Sequence, residues 1–492
     1  MAQLPTVAGP IPVTPTSHPF LGAGEAMEKV GYVEEEYFLS GRANVYGWVG
    51  ATRAIKVVAG PGKYVTRILV RRPKDPGRFS GNIELTILNA SLGVDLGGPT
   101  DFGRMVKQGD VWIGITTKAL TAASLKKFDP VRYAPLDWSN PAPPAKRCAK
   151  PSTINSYMLP PDLDVSKLPP DSSPATEDGL VWDMIGQLGL LLKSDQRQQI
   201  LPGFKGKVWV YVDGVSQSGA YMHTWTAAGF HDRYRAADGH PVFDGYLEIV
   251  GPSGIRINQC AADVLPRDPR NKFLPPPAAP YISLSSEAEI WMSQYTRQPD
   301  SVTPKGGIVV YEVAGGSHGG GEVPGLPRDS LTMASQKDLA KAGLDMSSMM
   351  AAMGSAKFTP NDFVWQPIAR GAYHNLQLWV RKGVVPPHAP GIEVDAAGQV
   401  KRDQNGNALG GLRAPNLVAP VATHVGSTGT GTLVGPKTPF PAEKLKALYP
   451  DHATYVAKVS AAADAALAGR WISAEDAAAY KKAAEAAPIP PQ

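Results

Sequence analysis

The feature that most constrains this chain is the run Lys207-Val208-Trp209-Val210-Tyr211-Val212-Asp213, followed at once by Gly214-Val215-Ser216-Gln217-Ser218-Gly219. The β-branched and aromatic residues predict a strand over Val208–Val212, and Ala220–Ala228 reads as a helix. The glycines and serines between them leave room only for a sharp turn. Such a turn pushes one side chain out at the end of a strand, beside the positive end of a helix. Ser216 holds that position. The run departs from G-x-S-x-G in carrying Ser218 at the second glycine position, with Gly219 behind it. Ser218 is thus a second candidate nucleophile, but it falls in the first turn of the helix, and Ser216 is preferred.

Further strands are predicted at Ala54–Val58, Tyr64–Val70, Ile83–Leu88 and Val111–Thr116, then at Tyr246–Val250, Tyr281–Leu284 and Ile308–Val313. Several are nearly continuous apolar runs, as expected of strands covered on both faces. Helical patterns lie between and after them. Asp178–Lys193 places Leu180, Met184, Leu188 and Leu191 on one stripe. Trp365–Lys382 ends in Arg381, Lys382 and Gly383, a helix stop with cations at the negative end of the dipole. The tail over 441–487 is rich in Ala and Lys and reads as helices. This alternation predicts α/β architecture, a mainly parallel central sheet flanked by helices, with long insertions forming a lid or cap. We expect one catalytic domain over 1–492. A Pro-rich insertion spans 118–176, its part from Lys127 to Pro174 read as a surface excursion. A Met-rich segment over 319–360, with Met333, Met346, Met349, Met350 and Met353, reads as a lid or equally as ordinary helix packing.

Bulk properties remove several function classes. Only 19% of residues are charged, while Gly and Pro number 51 and 47, which suits a folded protein with long ordered loops. A net charge of +5 without a Lys/Arg block gives no footing for nucleic acid or an anionic membrane. No apolar run approaches a membrane span. The two cysteines, Cys148 and Cys260, permit one bridge or two thiols and exclude a disulfide-dense scaffold. No HExxH occurs, and His231 and His240, beside Asp232 and Asp238, read as a solvated loop and not as metal ligands. Gly426–Gly435 lacks the Gly-Lys-Ser/Thr of a phosphate loop and reads as an ordinary loop. No metal or cofactor is expected. Met1–Gly24 lacks the basic start and apolar core of a signal peptide.

A serine hydroxyl becomes a nucleophile when a histidine takes its proton and a carboxylate orients that histidine. Behind a strand-to-helix serine the acid comes next in the chain and the histidine last. His318 ends Ala314-Gly315-Gly316-Ser317-His318, a glycine-freed loop leaving the strand Ile308–Val313. His374, inside a predicted helix, is the reserve. The acid should leave the preceding strand, where Ser285-Ser286-Glu287-Ala288-Glu289 offers Glu289 and, two residues earlier, Glu287. An oxyanion hole needs two backbone N–H groups. One is expected from Gln217, the other from Ala90 or Ser91 in the loop after Ile83–Leu88.

At these residues the chain resembles a large bacterial family known as the α/β-hydrolase-domain proteins, related to carboxylesterases. The resemblance runs through Ile83–Asn89, Val111–Gly114, Phe128–Leu136, Ser216–Gly219, Ser286–Glu289 and Ala314–His318. Later matches are Trp379–Pro387, Gly410–Pro415 and Leu448–Pro450. It implies the α/β-hydrolase fold, Ser216 as nucleophile, His318 as base and an acid in the Ser286–Glu289 turn. Relatives often show Asp where this chain has Glu289, so Glu287 stays in contention. Family members are frequently exported; that fits a Pro-rich start whose signal has been removed and permits a Cys148–Cys260 bridge, while a cytoplasmic protein is the other expectation. The expected reaction is hydrolysis of a small-molecule carboxylic ester through an acyl-enzyme on Ser216. The same groups would serve an amide, a lactone or acyl transfer. A non-catalytic binding protein on the same scaffold is the competing class.

Overall fold

The computed structural model describes residues 3–152, 172–273, 276–319, 336–344, 358–363, 365–429 and 432–491. Within them the chain divides into two compact units, one of residues 3–152, 172–273 and 336–344, the other of 276–319, 358–363, 365–429 and 432–491.

The first unit is built on strands β1 (Thr6–Ala8), β2 (Tyr32–Trp48), β3 (Ile55–Pro73), β4 (Asn82–Ile87), β5 (Val111–Ile115), β6 (Trp209–Val215) and β7 (Gly245–Ile249). They lie in the order β1-β2-β3-β5-β4-β6-β7. The first three pair antiparallel, and β3 pairs antiparallel with β5. From β5 through β4 and β6 to β7 every pairing is parallel. Strands β4, β5 and β7 are buried along their whole length, which is why they read as apolar runs. The 3-10 turn Asp178–Leu180 and the helix Val181–Leu192 that follows it bury the predicted stripe of Leu180, Met184, Leu188 and Leu191.

The long antiparallel pair departs from expectation. Strand β2 was not anticipated, and the two predicted strands Ala54–Val58 and Tyr64–Val70 are one strand, β3, running through Gly60-Pro61-Gly62. The ladder absorbs that break by register shifts at Ala43–Val45 and Val45–Tyr46. The segment from Lys127 also differs from a surface excursion: Tyr133, Leu136 and Trp138 are buried, and Arg132 binds Glu36 at 2.5 Å. Ahead of it, Ala119–Phe128 is a helix. The Cys148–Cys260 bridge that the resemblance permits is present in this unit, with the Cα atoms 5.7 Å apart.

The second unit carries β8 (Pro280–Ser286), β9 (Ser301–Thr303) and β10 (Gly306–Val313), with β10 parallel to β8 and antiparallel to β9. A small pair, β11 (Ala422–His424) and β12 (Lys437–Pro439), stands apart from these. The helix Gln366–Lys382 takes Pro367 in its first turn and ends at Gly383 in the left-handed region, φ 67°. The tail forms three helices, Ala442–Leu448, His452–Ala468 and Ala474–Ala486. Arg370 and Asp476, both buried, tie the last of them to Gln366–Lys382. The five methionines of the predicted lid lie outside the described residues. Among those described, no helix is long and apolar enough to cross a membrane.

Candidate active site

Strand β6 ends at Val215 and the helix Gln217–Ala227 begins two residues later, so Ser216 alone makes the turn. Its backbone stands at φ 61°, ψ −121°, a region that residues with a Cβ rarely enter. The strain is held from neighbouring strands, because Ser216 N–H donates to Ile249 O on β7 at 2.8 Å. Glycines make the space. A Cβ on Gly214 would lie 2.6 Å from the Ser218 backbone, and one on Gly251 would lie 2.4 Å from Ser216 O. Ser216 is half-buried, whereas Ser218 is fully buried within the helix. The alternative nucleophile therefore lacks access.

Of the expected oxyanion donors, Gln217 N–H and Ala90 N–H have no protein partner among the described residues. Ser91 does not serve: its N–H donates to Asn89 Oδ1 at 2.9 Å, closing a turn on the preceding side chain. That removes Ser91 from the candidate donors and leaves Ala90.

Two carboxyl groups lie at the root of the elbow. Glu84 on β4 and Asp213 on β6 are both buried, on neighbouring parallel strands. Thr100 donates its N–H to Glu84 Oε1 at 2.5 Å and its hydroxyl to Asp213 Oδ2 at 2.6 Å. Glu84 Oε2 and Asp213 Oδ1 are buried without a hydrogen-bond partner among the described residues. Burial first, and the Asp213 charge second, raise Glu84 well above the usual carboxylate range.

In the second unit the turn after β8 carries both candidate acids. Glu289 closes a capping box with Ser286, its Oε2 accepting from Ser286 N–H at 2.7 Å. Its other oxygen, Oε1, lies 2.6 Å from His318 Nδ1. Glu287 points elsewhere. Its Oε2 accepts from Gly315 N–H at 2.9 Å, and its Oε1 from Gly426 N–H at 3.0 Å and Arg402 Nη2 at 2.8 Å. One glutamate therefore meets the imidazole and the other meets the backbone of the loop that carries it.

That loop is pinned at each end. Gly315, at φ 77°, offers its carbonyl to Asn361 Nδ2 at 2.8 Å. His318 N–H donates to Leu433 O at 2.9 Å, and His318 O accepts from Trp365 Nε1 at 3.1 Å. Asn361 in turn meets His424 Nδ1 at 2.8 Å, and burial lowers His424 to about 4. Sequence reasoning missed Asn361, Trp365 and Gly251, none of which stands in a motif. Gly426, read as part of an ordinary loop, is packed so closely that a Cβ would lie 2.5 Å from Gly316 O.

The remaining histidines fall elsewhere. His374 lies half-buried in the helix Gln366–Lys382. His231, expected in a solvated loop, is instead buried, with Nδ1 at 2.8 Å from Tyr246 Oη, and burial lowers it to about 4.

A model of the α/β-hydrolase domain family matches residues 7–482, and the chain belongs to that family. No curated protein matches the chain. Similar solved structures include acetyl xylan esterase 1 from Thermoanaerobacterium sp., at 15% identity and TM-score 0.20, covering 44% of this chain and 47% of that one. The methylesterase BT1017 is 11% identical, TM-score 0.25, over 64% of this chain and 54% of its own. A bacterial esterase is 12% identical, TM-score 0.21, over 56% and 78%. The chain spans about half the length of the first two. These likenesses are distant, and membership of the family rests on the family match.

Proposed function

We propose that this protein is a serine esterase in which Ser216 attacks a carboxylic ester, His318 is the general base and Glu289 its orienting acid. The observation that carries the reading is the backbone of Ser216. A plain Gly/Ser turn would give the positive φ to a glycine; here a serine holds it while glycines stand at Gly214 and Gly219. The contact between His318 Nδ1 and Glu289 Oε1 supports the second half of the assignment, since it fixes the tautomer whose Nε2 accepts a proton.

In the first half-reaction the Ser216 oxygen bonds to the ester carbon while His318 Nε2 takes the hydroxyl proton. The carbonyl oxygen, now an oxyanion, is met by Gln217 and Ala90 N–H, and the first of these belongs to the positive end of a helix. Collapse expels the alcohol, which receives the proton from His318. Water then attacks the acyl-enzyme with the same imidazole as base, returning Ser216 and a carboxylic acid.

A fluorophosphonate probe tests the reading directly. Labelling of the wild type at Ser216, lost with Ser216→Ala together with turnover of short p-nitrophenyl esters, supports it. A folded wild type that neither labels nor turns over any ester refutes it.

A further inference from the structure

Asn89 stands two residues beyond the end of β4, and its side chain reaches two places at once. Its Nδ2 donates to Val215 O at 2.7 Å, the carbonyl of the peptide that leads into Ser216. The N–H of that same peptide is the one bound by Ile249 O at 2.8 Å. The Val215–Ser216 peptide is thus gripped on both sides, as a residue at positive φ requires. The other end of the amide, Oδ1, accepts from Ser91 N–H at 2.9 Å and from Ser91 Oγ. The Asn89 backbone is committed as well, exchanging bonds with Leu96 at 2.7 and 2.9 Å to close the loop 89–96.

Each candidate oxyanion donor is therefore anchored through this one amide. Ala90 sits inside the turn that Oδ1 closes, and Gln217 follows two residues after the carbonyl that Nδ2 holds. An oxyanion hole acts through the spacing of its donors, which must fit a tetrahedral oxygen and not the flat carbonyl of the ground state. Resting on the esterase reading above, we propose that Asn89 is a positioning residue that sets the separation of the Ala90 and Gln217 N–H groups. It touches neither substrate nor reacting atoms, and its effect falls on the transition state.

The test uses Asn89→Ala and Asn89→Asp in the full chain, with a short p-nitrophenyl ester and a trifluoromethyl ketone of matching acyl length. The ketone forms a tetrahedral adduct on serine. Aspartate keeps the acceptor for Ser91 but sets an acceptor against Val215 O, so it should not rescue. For both variants the expectation is a kcat fall of roughly 10- to 100-fold, below the loss of a whole donor. KM should move less than about threefold, and the ketone Ki should rise in step with the loss in kcat/KM. A kcat and ketone Ki within twofold of wild type overturn the proposal. So does a loss carried by KM alone with Ki unmoved, the mark of a purely structural role. Should the alanine variant fail to fold, the near-isosteric aspartate variant decides alone. Retention of ester turnover by Ser216→Ala would refute the esterase reading itself, whereas a dead Ser216→Ala beside fully active Asn89 variants refutes only the role of Asn89.

Discussion

The two glutamates of the β8 turn make opposite predictions when each is replaced by glutamine, and the reason lies in donor counting. Glu289 accepts from two donors, Ser286 N–H on Oε2 and His318 Nδ1 on Oε1. A glutamine has one acceptor and can satisfy only one of them. If its oxygen faced Nδ1, its NH2 would oppose the buried Ser286 N–H, at about 1–3 kcal/mol. If its oxygen faces Ser286, its NH2 meets Nδ1, and the imidazole escapes the conflict by moving its proton to Nε2. That second arrangement leaves every buried group paired, so the fold should select it. The tautomer it selects cannot take a proton from Ser216. The expected result for Glu289→Gln is a kcat fall of about 10³- to 10⁴-fold, roughly 4–5.5 kcal/mol of barrier, with Tm within about 2 °C of wild type. Glu287 accepts from three donors, two of them backbone N–H groups, and no partner there can change tautomer. Glu287→Gln should therefore lose about 1–3 kcal/mol of stability while keeping kcat within about tenfold. Steady-state kinetics on a p-nitrophenyl ester and calorimetric melting of both variants decide it. A 10³-fold loss in Glu287→Gln beside near-normal activity in Glu289→Gln would show the acid to be misassigned.

Four further outcomes are expected. Glu177, buried and accepting from Gly179 and Gln259 N–H groups, is pushed up to about 7 by desolvation, against an ordinary 4.5. Its contribution is fully present below about pH 4.5 and is lost as pH rises through 7, so urea midpoints should fall between pH 5 and 8. Glu177→Gln should flatten that slope, which corresponds to roughly 3 kcal/mol for the wild type. The raised Glu84 acts in the same sense: its contribution is lost as pH rises above the ordinary carboxylate range, and Glu84→Gln, which cannot ionise, should weaken that part of the loss in urea titrations. Replacing Cys148 and Cys260 with serine should lower unfolding free energy by about 2–4 kcal/mol in denaturant titrations, and reductant should reproduce the loss in the wild type only. Gly251→Ala should slow fluorophosphonate labelling by at least about tenfold, because its Cβ would lie 2.4 Å from Ser216 O and 2.7 Å from Ala220 N, both backbone atoms.

What the sequence disclosed and what it hid divide along range. The strand, turn and helix around Ser216 are local, each set by its own period and its own small residues, and their boundaries were legible to within two or three positions. Strand β2 was not, although it runs 17 residues. Its Glu34-Glu35-Glu36 looks like a solvated stretch, yet Glu34 pairs with Arg71, Glu35 with Arg72, and Glu36 with Arg67 and Arg132. Only the fold brings those arginines alongside, so burial of the acids has no local signature. The same holds for the two glutamates of the β8 turn. They are alike in type and two residues apart, and what separates them is Arg402, 115 residues from Glu287, and His318, 29 residues from Glu289.

The serine at the second glycine position of the elbow shows why a motif can be broken and its geometry kept. The motif asks for clearance where strand and helix backbones crowd, and it places that clearance at two glycines. In this chain the tightest approaches fall at Gly214, whose Cβ would strike the backbone of Ser218, and at Gly251, whose Cβ would strike that of Ser216. Gly219 adds a third relief, with a Cβ there 3.0 Å from Ile249 O. Ser218 itself is buried in the helix, its Cβ 2.9 Å from where a Cβ on Gly214 would lie, so the missing Cβ at Gly214 is what accommodates it. The second glycine has in effect been relocated to the end of β7, 35 positions from Ser216 in the chain. A search confined to G-x-S-x-G therefore undervalues this elbow, and the residue that compensates is one that packs against the turn from the next strand.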